Sequence, residues 1–258
     1  MDFCTRTFLS ILKAGPIPRH IAFVMDGNRR YARKRYSPVR AGHKAGFQTL
    51  KKVLELCLNL DVKCVTVYSF SIENFKRSKE EVDAIMELAK DGLLELCRHD
   101  HLLAKYGVRL KIIGRKNLLP PDLQEIIRTS EQLTQNNHRA LLNVCMPYTA
   151  RDEIASSVQA TIELHQNGDI PFDENEIAAH LGTALSGSPR LDMMIRTSGV
   201  KRLSDFLLWQ TCVDTQIYFT PTYWPDFGLW EFGKIILDYQ RKVWSESGKP
   251  CAVTAGRC

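Results

Sequence analysis

Two rhythms of hydrophobic and polar positions alternate along this chain. Short apolar runs read as strands near residues 21–25, 64–70, 108–113, 141–146, 193–195 and 216–219. Between them, helical spacing appears at 44–60, 78–98, 121–135, 150–166 and 173–181, with a further helix at 229–243. In the first of these, Phe47, Leu50, Val53, Leu54, Cys57 and Leu58 recur on one helical face. Ser78 with Glu81 three residues on has the form of a capping box and starts the second. Strands and helices in such alternation predict right-handed crossovers. The expected fold class is therefore α/β, a single domain with a mostly parallel central sheet of about six strands flanked by helices. No internal repeat, low-complexity tract or Pro/Ser-rich linker divides the chain.

Residues 1–18 stand apart from that rhythm. Phe3, Phe8, Leu9, Ile11 and Leu12 with Arg6 and Lys13 predict an amphipathic helix, stopped by Gly15-Pro16-Ile17-Pro18. Such a helix either lies on a membrane or a partner, or packs on its own domain; the pattern leaves both readings open. No run reaches the roughly 18 apolar residues that span a bilayer, and the start lacks the cleavage pattern of a secretory signal.

Composition narrows the class. With 258 residues the chain is long enough for a sizeable core, and its 44% hydrophobic and 25% charged content is that of a soluble globular protein. A net charge of +6 suits an anionic substrate or a negative membrane surface. It is too weak to argue for nucleic acid, and no nucleic-acid-binding motif is present. The eight cysteines form no CxxC pair and no zinc spacing, so reduced thiols in a cytosolic setting are expected. His99-Asp100-His101 reads as a solvated helix end, because adjacent helical residues point in different directions.

The chemistry concentrates in Met25-Asp26-Gly27-Asn28-Arg29-Arg30, directly after the apolar run Ile21–Val24. Gly27 lets the backbone approach a ligand closely. A helix starting near Asn28 would turn free N–H groups toward the same point, favouring an anion. Arg29 and Arg30 can grip phosphate oxygens with two-pronged hydrogen bonds. Asp26 would repel a phosphate unless a divalent cation bridges them, and Mg²⁺ commonly sits between one carboxylate and substrate phosphates. The hexapeptide alone also allows Asp26 to be a helix cap with the arginines on a solvated face. Two further polar clusters follow predicted strands, Ser69–Arg77 and Arg196–Ser204. In open parallel sheets, ligands gather at the carboxyl ends of strands. Three basic, hydroxyl-rich loops on one rim supply donors for two diphosphates.

The set HIAFVMDGNRR, GHKAG, YSFSIENFKR, IRTSG, RLSDFLLWQ and YFTPTYWPDF, in that order from His20 to Phe227, resembles the cis-prenyltransferase (UPP synthase) family. GNRRYA, SIENFKRSKEEV and RLSDFLLWQ look closest to its eukaryotic dehydrodolichyl diphosphate synthase branch. The all-helical trans-prenyltransferases are disfavoured, since no DDxxD motif occurs. The resemblance implies a catalytic domain over 19–245, with an N-terminal segment 1–18 and a tail 246–258. It implies repeated condensation of isopentenyl diphosphate onto an allylic primer such as farnesyl diphosphate. Each step makes a Z double bond, and the product is a long polyprenyl diphosphate of the dolichol-precursor kind.

By the same resemblance, Asp26 holds Mg²⁺ and is catalytic, and Asn74 helps remove the proton from isopentenyl diphosphate. Gly27, Asn28, Arg29, Arg30, Tyr31, His43 and Arg77 match the pocket of the allylic diphosphate. Ser71, Ile72, Glu73 and Phe75 flank Asn74. Arg196, Arg202, Leu203 and Ser204 match the site of the isopentenyl diphosphate group. Helix 78–98 carries Val82, Ile85, Met86, Leu88, Ala89, Leu93 and Leu96. Such a stripe is by default core packing, and the resemblance makes part of it the wall of an apolar tunnel, with Ala89 and Gly92 small. The stretch 98–107 also looks longer than in bacterial relatives with shorter products.

Departures matter as well. Gln216 stands where bacterial members usually carry a Glu that touches Mg²⁺, and Val200 and Lys201 differ from the usual residues after the RTxG turn. No RxG motif follows Trp244, Gly256-Arg257-Cys258 being in the wrong order. The family includes two-subunit enzymes in which a Nogo-B-receptor-like partner supplies that motif. The expectation is thus the catalytic subunit of a hetero-oligomer, attached peripherally to the cytosolic face of the endoplasmic reticulum membrane. A self-sufficient homodimer and a non-catalytic subunit of the same fold are the alternatives. The joint presence of Asp26, Arg30, Asn74, Arg196, Arg202 and Ser204 argues against the last. A nucleotide-binding module is disfavoured by the lack of GxGxxG or GxxxxGK[ST], and Ser247-Gly248-Lys249-Pro250 is no phosphate loop.

Overall fold

The computed structural model describes residues 3–97, 102–166, 168 and 172–247. The His99-Asp100-His101 cluster and most of the 246–258 tail lie outside the described residues. In chain order the elements are α1 (Phe3–Leu12), β1 (His20–Val24), α2 (Asn28–Lys34), α3 (Val39–Asn59), β2 (Cys64–Tyr68), α4 (Lys79–Cys97), α5 (Leu102–Tyr106) and β3 (Val108–Ile113). They continue with α6 (Pro121–Thr134), β4 (Ala140–Cys145), α7 (Ala150–Gln166), α8 (Glu174–Ala179), α9 (Gly182–Leu185), β5 (Met193–Arg196), β6 (Gln216–Phe219) and α10 (Leu229–Ser247). Single 3₁₀ turns cover Ile72–Lys76, Lys116–Leu118 and Trp224–Asp226.

The six strands form one sheet in the order β3-β4-β2-β1-β5-β6, and every pairing is parallel. This is the expected α/β architecture, with the sheet wholly rather than mostly parallel. β1 is buried along its whole length, and its side chains divide by the two-residue period of a strand. Ile21 and Phe23 join the larger core beneath the long helices, while Ala22 and Val24 join a smaller core with Met194, Phe206 and Leu207. Aromatic rings fill the larger core near the site: Phe23 contacts Trp224, Phe227 and Phe232 at centroid distances of 5.8, 6.3 and 6.2 Å.

The N-terminal helix packs on its own domain. Leu9 and Leu12 are buried in the main core, and Phe8 lies 5.1 Å from the ring of Trp230 on α10. A β-carbon on Gly233 would sit 2.5 Å from Phe8 Cε1, so the glycine makes room for that contact. Gln240 Nε2 donates to the Leu12 carbonyl at 2.6 Å. Helix α3 begins five residues earlier than the apolar stripe suggests, at Val39 after Pro38, because its first turns carry Arg, Gly, His and Lys. The 64–70 run stops being strand after Tyr68: Ser69 and Phe70 both turn their N–H groups to the Cys145 carbonyl, leading the chain onto the rim.

Candidate active site

The sheet register assembles the site. Val24 at the end of β1 pairs with Tyr68 on one side and Arg196 on the other. Because β2, β1 and β5 are neighbours, the loops after them emerge side by side. They open into a cavity of about 890 Å³.

Asp26 is fixed there by its backbone as much as by its side chain. Thr197, fully buried, accepts from the Asp26 N–H at 3.0 Å and donates to the Asp26 carbonyl at 2.7 Å. The Trp224 N–H donates to the same carbonyl at 3.0 Å. Gly27 adopts φ of 108°, a left-handed conformation that a side chain would strain. Its N–H donates to Asp26 Oδ1 at 2.7 Å and α2 starts at the next residue. Arg196 Nη2 donates to Asp26 Oδ2 at 3.0 Å, and Arg30 lies 3.4 Å from Oδ1. Burial alone would raise the Asp26 carboxyl, but the hydrogen bond and charge of Arg196, the charge of Arg30 and the Gly27 N–H outweigh it and hold it below the ordinary carboxylate value.

The cationic shell is itself ordered. Arg30 donates to the Ser198 carbonyl at 3.1 Å and to the Ser198 hydroxyl. Arg196 is only 4% exposed, and it donates to the Arg202 carbonyl and to Ser204 Oγ at 2.7 Å. Glu81 serves Arg77 at 2.8 Å and Arg29 at 3.5 Å. His43 is pushed below its ordinary pKa by burial first and then by the charge of Arg77, with Arg29 adding and Glu81 opposing. Asn28 Oδ1, His43 Nε2 and Arg196 Nε are buried without a protein partner among the described residues. Buried polar groups of this kind cost stability unless something satisfies them. All three residues border this cavity.

Asn74 has one side-chain role already assigned. Its Oδ1 accepts the Ser71 N–H at 3.2 Å while Ser71 Oγ accepts from Glu73 N–H, a reciprocal cap on the 3₁₀ turn. One of the two lone pairs of the amide oxygen is therefore occupied, which leaves Asn74 its N–H donors and a second lone pair.

Of the sequence candidates, Asp26, Gly27, Asn28, Arg29, Arg30, His43, Ser71, Glu73, Asn74, Arg77, Arg196, Arg202 and Ser204 line this single cavity. Four do not. Tyr31 lies under the Arg35 guanidinium at 4.3 Å, and Phe75 packs on Phe70 at 4.9 Å. Ile72 donates its N–H to the Tyr148 carbonyl, and Leu203 packs against the smaller core. Conversely, Arg33, Ser69 and Asp205 border the cavity without having been singled out as site residues. Arg33 was findable, being three and four residues beyond Arg30 and Arg29 on one helix face. Gln216 is outside the lining, its Oε1 accepting from the Tyr218 hydroxyl at 2.7 Å.

Away from the rim the cavity turns apolar. Ile85, Leu88, Ala89, Leu93 and Leu96 of α4 line it with Gly92, opposite Phe47, Leu50, Val67 and Val144. Val82 and Met86 fall outside the lining, Met86 being buried in the core. No group of three or more His, Cys, Asp or Glu side chains converges among the described residues. Three carboxylates border the cavity, but Glu73 pairs with Lys76 and Asp205 with Arg151, so the arrangement around Asp26 offers no closed all-protein metal site among the described residues. It fits a hard cation that takes its remaining ligands from phosphate and water.

A family model described as "Putative undecaprenyl diphosphate synthase" matches residues 24–245. The chain belongs to that family, the cis-prenyltransferases. Among its relatives, this cis-prenyltransferase is 46% identical to a dehydrodolichyl diphosphate synthase complex subunit of Schizosaccharomyces pombe, over 93% of this chain and 91% of that one. It is also 46% identical to the human dehydrodolichyl diphosphate synthase complex subunit, over 90% of this chain and 69% of that one. The crystal structure of lavandulyl diphosphate synthase from Lavandula x intermedia, in complex with dimethylallyl diphosphate, superposes with a TM-score of 0.82. Identity is 32%, over 86% of this chain and 95% of that one.

Proposed function

We propose that this cis-prenyltransferase condenses isopentenyl diphosphate onto farnesyl diphosphate, repeatedly, to make the long polyprenyl diphosphate that precedes dolichol. The observation that carries this is one cavity with two chemistries: a cationic rim around Asp26 and an apolar channel along α4. An amphiphile with an anionic head and a growing hydrocarbon tail matches both ends at once. The relatives named as dehydrodolichyl diphosphate synthase subunits support the product class.

In this reading, Arg29, Arg30, Arg77 and His43 bind the allylic diphosphate and Arg196, Arg202 and Ser204 bind the donor diphosphate. Negative charge builds on the leaving diphosphate as the allylic C–O bond breaks, and guanidinium groups already in place stabilise it without reorganising. A Mg²⁺ ion held by Asp26 would add Lewis-acid neutralisation of that charge. Asn is no base, so the N–H donors of Asn74 orient a diphosphate oxygen or a water that takes the proton. Each C5 unit sheltered by the channel contributes about 4 kcal/mol, at ~0.8 per CH₂, which favours elongation over release.

The relatives' names as complex subunits support a partner subunit, which we assign to the Nogo-B-receptor-like class. Exposed Ile11, Trp230, Leu237 and Trp244 on α1 and α10 support peripheral contact with a membrane, placed at the cytosolic face of the endoplasmic reticulum. No described helix is long and apolar enough to cross one. The deciding experiment incubates the protein with farnesyl diphosphate, labelled isopentenyl diphosphate and Mg²⁺, with and without such a partner. Labelled polyprenyl diphosphates are expected in the complete mixture. Their absence there, with both substrates intact, removes the proposal.

A further inference from the structure

Asp205 ties the loop after β5 to a helix that lies outside the catalytic rim. Its Oδ1 accepts the Arg151 N–H at 3.0 Å in the first turn of α7, and its Oδ2 accepts from Arg151 Nε at 2.8 Å. Its carbonyl accepts the Ala150 N–H at 2.8 Å. The Asp205 side chain is 14% exposed against 75% for that of Arg151. An ion pair with so exposed a partner contributes little, whereas a cap satisfies an otherwise orphaned N–H.

The same loop is backbone-strained. Ser204, Asp205 and Leu207 adopt φ of 53°, 59° and 46°, a region unfavourable to residues with a β-carbon. Such conformations persist only where the surroundings over-determine them. Two anchors do so here: Leu207, fully buried in the smaller core, and the Asp205 cap. Between Arg202 and Ser204 the strained turn does something specific. It presents the Arg202 carbonyl and Ser204 Oγ to Arg196 Nη1, and Ser204 Oγ also accepts from Arg202 Nε at 3.2 Å. Arg196 in turn reaches Asp26.

We propose that Asp205 is a positioning residue for the donor-diphosphate site: by capping α7 it holds the 202–204 turn against Arg196 in the geometry that receives the C5 donor. This rests on the functional reading above. Asp205 borders the cavity, and both of its carboxylate oxygens are engaged by Arg151.

The test uses the full chain, with its partner subunit where one is needed, carrying Asp205→Ala, Asp205→Asn, Arg151→Ala or Arg151→Pro. Asp205→Ala is expected to raise KM for isopentenyl diphosphate about tenfold, the scale of one lost cap, with KM for farnesyl diphosphate changed less than about twofold. Asp205→Asn, which keeps an acceptor for the Arg151 N–H, regains most of the loss. Arg151→Ala stays near wild type, whereas Arg151→Pro removes the capped N–H without touching the loop and reproduces Asp205→Ala. That pair carries the test if Asp205→Ala does not fold. Equal changes in both KM values, no change for the donor, or no recovery in Asp205→Asn overturns the proposal. A wild-type protein that turns over neither substrate sinks the functional reading instead. Calorimetric binding of inorganic diphosphate with Mg²⁺ then still tests Asp205, because affinity must fall about tenfold in Asp205→Ala; an unchanged affinity rejects it.

Discussion

Arg196 Nη2 stands 3.0 Å from Asp26 Oδ2, a buried guanidinium on β5 meeting a half-buried carboxylate beyond β1. The pair explains why this acid stays ionised: Arg196 and Arg30, both on the cavity rim, lower the cost of its charge. Replacing Asp26 by Asn keeps the shape and removes the charge. We expect kcat to fall by at least ~10²-fold, the scale for losing one preorganised electrostatic group. Steady-state rates at saturating substrates and Mg²⁺ check it, and near-normal turnover would rule out the metal-bridging role.

The depressed Asp26 carboxyl also sets a pH limit. Its folded pKa lies below its unfolded value of 3.8, so its contribution to stability is present above that value and is lost as pH falls through the folded one. The acid limb of kcat is therefore expected below pH ~4 for this group. A limb near neutrality that vanishes in Asp26→Asn would contradict that assignment.

His20 gives a second, separable pH effect, in stability rather than rate. Its Nδ1 donates to the Pro189 carbonyl at 2.9 Å, and its Nε2 accepts from Thr66 Oγ1 at 2.7 Å, fixing a neutral tautomer in the sheet. Burial pushes the imidazole down to about 4, with the Pro189 carbonyl and the Asp192 charge opposing. The unfolded chain takes up the proton near 6.5 and the folded one only near 4, so stability falls as pH drops across that window. The shift corresponds to about 3 kcal/mol at its acid end. Urea midpoints from pH 7 to 4 should show this loss in the wild type and a shallower one in His20→Gln. Parallel slopes would show that His20 does not titrate this way.

What could be read from the chain was the alternation of strands and helices and the chemistry local to each loop. The Asp26–Arg30 cluster announces itself because a strand end, a glycine and two arginines are contiguous. Its neighbourhood with Arg196 does not, since it depends on β5 lying next to β1 in the sheet order, a long-range pairing no local pattern encodes. Within each motif, alternate residues must face inward to hold the loop. That is why Phe75 packs on Phe70 and Leu203 on the smaller core while Asn74 and Ser204 face the cavity. The short helices α5 and α9 escaped because five and four residues are too few to express a helical period.

Assembly is the next expectation. The fission yeast and human relatives carry complex-subunit names, and the cavity here is open at its rim. We expect weak turnover from the chain alone and at least about tenfold more with a partner subunit of the Nogo-B-receptor-like class, a change of ~1.4 kcal/mol in barrier. Equal turnover with and without the partner would favour a self-sufficient homodimer.

Product length should answer to the wall of α4. Ala89 lines the apolar channel, and Gly92 packs against the Phe47 ring, where a β-carbon would stand 2.8 Å from Cε2. Space there is set by what those two side chains lack. A ring at position 89 fills volume that an elongating tail would otherwise take, and each excluded C5 unit forfeits about 4 kcal/mol of burial. Ala89→Phe is therefore expected to shift the product ladder to shorter chains with the first condensation little changed. Gly92→Ala should act in the same direction but less, because Phe47 can rotate away from a single methyl. Reversed-phase chromatography of the labelled products decides it: an unchanged ladder in both variants would mean that the tail runs elsewhere and that this stripe is core.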